Sequence, residues 1–233
     1  MNGAAIMGET ANHIQHVIFI CAVLFAVERI RPVEKKQPLK GIVFNLLVAI
    51  VLAASTQVTI GWLGAVLPPL PFRPFLTIEP PTNLHERIGC DLLVLFIYDF
   101  FAYWLHRIEH GLPFLWRIHR LHHEEKNMNV STTNRHNPLE ALLRVPFIML
   151  PMVTLFDLPF APLVFGVSLG VIIPSFSHMN LRLQMGWMTA LVTGPQLHRL
   201  HHSAELRHQD KNFANIFPFW DILFGTYLAP EPG

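Results

Sequence analysis

From Ile42 to Leu67 the chain runs for about 26 residues without a charged side chain. As a helix that run is ~39 Å long, enough to cross a bilayer with room to tilt. Little but a membrane span suits such a segment, and the composition agrees. Apolar residues make up 52% of the 233 and Asp, Glu, Lys and Arg only 14%, against roughly 25% charged in a soluble domain. A net charge of +1 gives no electrostatic reason to expect a nucleic-acid partner. Cys21 and Cys90 sit in apolar stretches and read as small buried residues, without disulfide or zinc-finger spacing.

Three other stretches are apolar. The first runs from Val17 to Val27. It is preceded by Glu9 but by no Lys or Arg, so it reads as an anchor and not as a cleavable leader. A proline-rich loop, Pro68 to Pro74 and then Pro80-Pro81, follows the long run, because no helix survives that density of proline. The next apolar run, Ile88 to Leu105, contains Asp91 and Asp99, which are costly in lipid and should face protein or metal. Val145 to Phe176 is apolar but broken by five prolines. It reads as a tight helical hairpin, re-entrant or thinly spanning, turning near Asp157-Leu158-Pro159. The expected fold is therefore all-α, an integral membrane protein with about four membrane segments. Residues 1–87 form an anchor and 88–233 a catalytic domain.

Charge sets an orientation. The loop after the first segment holds Arg29, Arg31, Lys35, Lys36 and Lys40, whereas the loop after the second holds only Arg73 and Arg87. The positive-inside rule then places the N-terminus outside and both histidine-rich blocks, His106 to Glu140 and His178 to His208, on the cytoplasmic face.

The fourteen histidines are clustered. His106-x-x-x-His110, His119-x-x-His122-His123 and His198-x-x-His201-His202 each place imidazoles three or four residues apart, on one face of a helix. Neutral imidazole is the commonest protein metal ligand and suits iron, zinc and copper. Eight such donors exceed what one tetrahedral zinc needs and match two metals with at least four nitrogens each. His178 stands alone after the hairpin and is a ninth candidate. His13, His16, His85 and His208 read as structural or surface residues, and His136 is a weak candidate. Two metals in an all-nitrogen shell suit dioxygen chemistry on unactivated C–H bonds, and the membrane supplies an apolar substrate. Asp99, Glu124, Asp210 and Asp221 are candidate acceptors for the second imidazole N–H. Tyr103 and Trp104 are candidates to line a substrate channel or to anchor at the interface. Arg120 and Arg199 read as surface charges able to pair with acids or lipid phosphates.

Other readings compete. His106-x-x-Glu109-His110 fits an inverted zinc-peptidase motif with Glu109 as base, which leaves both HxxHH motifs unexplained. A non-enzymatic metal-handling role is a third reading. A carboxylate di-iron bundle needs two Glu-x-x-His motifs, and only Glu205 to His208 is present.

At these residues the chain resembles the fatty acid hydroxylase superfamily, or sterol desaturase family. The resemblance runs from about Asp91 to Tyr227. It rests on Asp99 to Arg107, Pro113 to His119, Ser131 to Arg135, Asn137 to Glu140, His198 to Ser203, Asn212, and Trp220-Asp221 to Tyr227. It implies a helical membrane fold with a cytosolic di-metal cap and dioxygen-dependent hydroxylation, desaturation or another oxidation of fatty acyl lipids, sterols or carotenoids. It implies that His106, His110, His119, His122, His123, His198, His201 and His202 bind two irons, with His178 as the extra histidine of the family. Zinc is able to occupy such a site in recombinant material. Family members often carry histidine immediately before Pro138, where this chain has Asn137, with His136 one residue earlier. No haem-attachment or dinucleotide-binding motif is present. Electrons are therefore expected from a separate ferredoxin or haem protein with its NAD(P)H reductase.

Overall fold

A computed structural model describes residues 19–66, 74–157 and 164–231 of the protein. Helix dominates, as expected. The strand pairing among the described residues joins β1 (Leu76–Thr77) to β2 (Phe156–Asp157) in parallel, two residues each. Residues 19–27 form α1, the described part of the first apolar run. α2 (Leu39–Val66), α3 (Leu84–Gly111) and the helical stretch Pro138–Leu155 are the three described helices long and apolar enough to cross a membrane.

α2 is apolar all round, yet its buried residues are only Asn45, Leu52 and Thr59. These lie seven apart, on one stripe. Much of the rest of its surface, including Leu47, Ile50 and Val58, is exposed, as lipid contact requires. Thr56 and Thr59 donate their hydroxyls back to the carbonyls of Leu52 and Ser55, so neither is left unpaired in the span. α3 begins at Asn83, whose side chain accepts the Glu86 N–H, and Glu86 lies in the first turn where the helix dipole favours an anion. It runs through the apolar segment without a break and ends in the turn that carries His110. Pro113 then restarts the chain as α4 (Pro113–His123).

The expected hairpin starts earlier than the hydropathy suggested. Asn137 caps a helical stretch from Pro138, so the polar residues Glu140 and Arg144 belong to the same helix as the apolar run. This stretch, α5 (Pro138–Leu155), tolerates Pro146 by widening to a π-turn over Val145–Met149, in which Leu150 N–H reaches the Val145 carbonyl. The expected turn is only partly described, since Asp157 belongs to β2 and residues 158–163 lie outside the described residues. The return limb, α6 (Val164–Ser177), is ~21 Å long, short of a ~30 Å hydrocarbon core. α7 (Pro195–His201) and α8 (Phe219–Leu223) follow.

The N-terminal part is tied to the histidine blocks by polar contacts. Glu28 is buried and accepts the N–H groups of Val130 and Asn180. Glu34 pairs with Arg199 at 2.7 Å. Asn129 donates to Gln37. Asn45 donates to Glu125 and Ser131 and accepts from Arg135. The start of α2 and the end of α3 therefore meet on one side, where the basic 29–40 segment and both histidine blocks lie together. Replacing Asn45 by Leu leaves Arg135 and Glu125 short of partners in a buried place. The expected cost is about 1–3 kcal/mol, read as a lower thermal midpoint in detergent micelles. An unchanged midpoint shows that these ties do not hold the cap to the span.

Candidate metal centre

Each histidine motif sits at the end of a helix. His106 and His110 occupy the last turns of α3. His119, His122 and His123 close α4, on whose buried face Leu115, His119 and His122 lie. His178 follows α6 directly. His198 and His201 lie on α7, and His202 caps it. A Cβ at Gly194, which caps α7, would run into the Met185 sulfur.

Folding divides the nine predicted donors into two groups. His106, His110, His119, His123 and His201 converge with one ring nitrogen each, all within 4.8 Å of one another, and His122, His178, His198 and His202 do the same. The division cuts across the sequence motifs: His122 and His123 are neighbours in sequence yet serve different groups, as do His201 and His202. In the four-histidine group the Nε2 atoms of His122 and His178 lie 3.1 Å apart, those of His178 and His198 2.9 Å, and those of His198 and His202 3.1 Å. In the other group His110 and His123 meet at 3.1 Å. Nitrogens at right angles about an ion, each ~2.1 Å from it, sit ~3 Å apart.

Backbone carbonyls choose the ring nitrogen that faces inward. Nδ1 of His106 lies 2.7 Å from the Phe213 carbonyl, that of His201 2.8 Å from Lys211, and that of His178 2.7 Å from Pro174. A carbonyl only accepts, so each Nδ1 carries the proton and each Nε2 presents its lone pair to the cluster. Nε2 of His106 and of His201 are buried and have no hydrogen-bond partner. Burial pushes the imidazole of His201 down to about 3, and that of His178 to about 3. Burial and neighbouring rings hold His122, His123, His198 and His202 well below the usual imidazole range. These rings are neutral at pH 7, the form a metal needs. The residues fit two metal ions.

The Lys211 and Phe213 carbonyls are aimed by an unusual turn. Asp210 and Asn212 both have positive φ, 55° and 57°, which Asn and Asp tolerate best among residues with a Cβ. Asn212 is held there by Leu228, donating to its carbonyl and accepting its N–H.

The supporting residues read from the sequence fall in several places. Asp210, an exposed carboxylate, lies 3.5 Å from His110 Nδ1, longer than a hydrogen bond. Glu124 instead pairs with Arg120 on the surface of α4. Asp99 meets no imidazole. Its carboxylate accepts the N–H groups of Ile216 and Phe217, because the C-terminal segment folds back along α3 and brings unpaired backbone donors with it. Asp221 likewise accepts from Phe213, Ala214 and the Thr226 hydroxyl. Tyr103 does not line a channel: it is fully buried in an aromatic cluster with Phe213 and Trp220, and Trp104 packs against that cluster. Arg107 donates to the Tyr103 hydroxyl, which lies 2.9 Å from Thr226 Oγ1. Arg199 pairs with Glu34. His85 is exposed, and His208 is buried against Ser203. Cys21 and Cys90 are free and half-buried. His13 and His16 lie outside the described residues.

Glu109, His136, Glu140 and Arg144 form a polar knot around His119, in which the sequence had offered Glu109 as the base of a competing motif and His136 as a weak candidate, and no role for Glu140 or Arg144. His119 Nδ1 lies 3.5 Å from Glu109 and 3.6 Å from Glu140. The Glu140 carboxylate lies 2.9 Å from His136 Nδ1 and 3.0 Å from the Arg144 guanidinium as an ion pair. The His136 ring stacks on His122 with centroids 4.2 Å apart. The spacing of four from His136 to Glu140 to Arg144 was the available signal, masked because the helix there was not expected before Val145. A cavity of about 270 Å³ joins this knot and both groups to an apolar wall of Tyr98, Ala102, Leu105, Ile148 and Val171.

Comparison with known proteins agrees with this geometry. Residues 92–226 match the family model described as fatty acid hydroxylase. The chain is 28% identical over 224 residues to the ornithine lipid hydroxylase of Rhizobium tropici, an alignment covering 90% of this chain and 65% of that protein. It is 30% identical over 133 residues to human alkylglycerol monooxygenase, covering 56% of this chain and 29% of that protein. It is 29% identical to human cholesterol 25-hydroxylase over 151 residues, 61% of this chain and 51% of that protein. The chain thus spans less than two thirds of each of these relatives. No solved structure matches.

The two groups give a stoichiometric prediction. His178→Ala removes a donor from the four-histidine group only, and His201→Ala from the five-histidine group only. His178→Ala leaves three donors in its group, below four nitrogens, and should lower bound metal from about two ions per chain to about one, read by elemental analysis, whereas His201→Ala leaves four and should weaken the binding of its ion. Loss of both ions with either variant means that the groups bind as one unit.

Proposed function

The chain belongs to the fatty acid hydroxylase family, and on that footing we propose that it is a membrane-bound di-iron oxygenase that hydroxylates or desaturates a bilayer lipid. The observation that carries this reading is two adjacent histidine groups at the end of a membrane helix, opening on a cavity whose far wall is apolar. Iron in such an all-nitrogen setting supplies dioxygen activation for attack on an unactivated C–H bond. The protein's own residues do the rest. Carbonyls of Phe213, Lys211 and Pro174 fix three imidazoles in one tautomer. Glu109 and Glu140 flank His119 from outside the cluster. Tyr98, Ala102, Leu105 and Ile148 offer an acyl chain a dry path toward the histidines.

The relatives' names concern ornithine lipid, alkylglycerol and cholesterol, all amphiphiles with an apolar body. An amphiphile of the bilayer, a fatty acyl lipid, sterol or carotenoid, is accordingly the proposed substrate class. Electrons come from a separate ferredoxin or haem protein served by an NAD(P)H reductase. The basic 29–40 segment lies beside the histidine blocks, which supports a cytoplasmic site and an N-terminus outside.

A zinc hydrolase built on His106, Glu109 and His110 makes Glu109 the base. Here Glu109 stands behind His119, a supporting place whose loss typically costs 10–100-fold in metal affinity or activity. The test is iron-reconstituted protein with a reducing system, membrane lipid and labelled dioxygen. One labelled oxygen should enter the lipid, or a double bond should form, with dioxygen consumed. His201→Ala should abolish this and Glu109→Gln only weaken it. Lipid or peptide cleavage without dioxygen uptake, lost in Glu109→Gln and kept in His201→Ala, refutes the oxygenase.

A further inference from the structure

Two segments, one within the second histidine block and one after it, carry almost no charge. Leu183 to Leu197 has no Asp, Glu, Lys or Arg, and Phe213 to Leu228 has only Asp221, which is fully buried. The two lie side by side. Thr193 donates its N–H to the Ile216 carbonyl and its hydroxyl to that of Ala214, and the Tyr227 hydroxyl meets Thr189 at 3.0 Å. Both present large apolar side chains outward: Trp187 is 76% exposed and Leu223 57%, with Leu191, Phe219 and Ile222 also exposed.

Their depth is fixed by α3. The Phe96 ring packs on Phe217 at 5.4 Å, on Phe219 at 5.5 Å and on Trp220 at 4.4 Å. Phe96 stands in the middle of the apolar run Ile88 to Leu105 and ten residues before His106, ~15 Å along the helix toward the membrane. α8 therefore does not sit above the histidines. It lies alongside the spanning part of α3.

Irregular backbone is tolerated at that depth only if its polar groups are satisfied within the protein. The pairing satisfies many of these groups. Asp221 takes the N–H groups of Phe213 and Ala214 and Asp99 those of Ile216 and Phe217, and Pro218 has none to offer. Ile222, Phe224, Gly225, Thr226 and Tyr227 donate to carbonyls within 218–222. Asn212 closes the loop by pairing with Leu228. Two buried carboxylates in an apolar setting, otherwise expensive, have this as their use.

We propose that residues 213–228, flanked by 183–192, form a re-entrant foot immersed in the hydrocarbon layer beside α3, with lipid acyl chains as its partner. The block after His178 is then not wholly an aqueous cap. Asn215 and Ile216, at the root of the foot, line the apolar-walled cavity, so that cavity is bounded by an element standing in the bilayer.

The experiment uses the full chain, unaltered, in phosphatidylcholine vesicles containing a phospholipid with a diazirine on its acyl chain. After illumination, peptides are mapped by mass spectrometry. Adducts at Phe219, Ile222, Leu223 or Trp187 are expected, alongside those at Leu92 and Leu93 on the exposed face of α3. Adducts on α2, α3 and α5 with none on the two segments overturn the proposal and leave a protein partner as the cover of that face. A second measurement places a nitroxide at Leu223→Cys or at Glu205→Cys, each with Cys21→Ala and Cys90→Ala. Collision with a water-soluble nickel chelate should be lost at 223 and kept at 205, while collision with oxygen persists at 223. Equal nickel collision at both positions overturns the proposal.

Discussion

The proton count among four imidazoles constrains everything around them. His178 has given its one proton to the Pro174 carbonyl, so its Nε2 holds a single lone pair. That lone pair faces two nitrogens, those of His122 and His198, both at about hydrogen-bond distance. One lone pair cannot accept two protons, and His198 Nε2 in turn faces both His178 and His202. If His122 and His198 donated inward, their Nδ1 atoms, which are buried and without partners, would be left as unpaired acceptors. Hydrogen bonding among the rings therefore cannot satisfy the group, whereas a cation at its centre satisfies all four lone pairs at once. Burying so many unpaired nitrogens is costly, and a cation held there would offset that cost.

That demand explains where the carboxylates went. Asp99 and Asp221 are not donors to it, and their work is to hold the backbone that orients the donors. The hydrogen-bond directions can be followed. Thr226 gives its proton to Asp221, so the Tyr103 hydroxyl must donate to Thr226 and accept from Arg107. Asp221 accepts the Phe213 N–H, and the Phe213 carbonyl holds His106. Tyr103 thus reaches the cluster through three other residues and touches no reacting atom. Tyr103, offered by the sequence as a channel or interfacial residue, is instead packed by α3 against the C-terminal segment.

Helical periodicity made the donors legible. HxxxH and HxxHH place rings on one face, and all nine histidines singled out by spacing or position do converge. The partition into five and four was not legible, because it depends on the ~100° between successive residues on a helix. His122 and His123 point apart by that angle, and α4 consequently feeds both groups, as does α7 through His201 and His202. Asp99 was flagged correctly as a carboxylate in need of a partner, but the partner lies 117 residues away in the backbone of Ile216. No local pattern carries that information. The knot at Glu140 was missed for a different reason: hydropathy begins a helix where the apolar residues begin, while the Asn137 cap and Pro138 begin it two turns earlier.

One consequence of α3 running unbroken from the span into the cluster is that chemistry and membrane depth share a single ruler. His106, Leu105, Ala102 and Tyr98 follow one another down the cavity wall, each turn advancing ~5.4 Å toward the bilayer centre. A lipid lying along that wall is registered against the histidines by the helix itself, without a hinge or a separate domain to set the distance. Lengthening α3 by one residue between Tyr98 and His106 would rotate both donors ~100° out of their group. The spacing is therefore held by the ligand geometry at one end and by the packing of Phe96 and Asp99 on the C-terminal segment at the other.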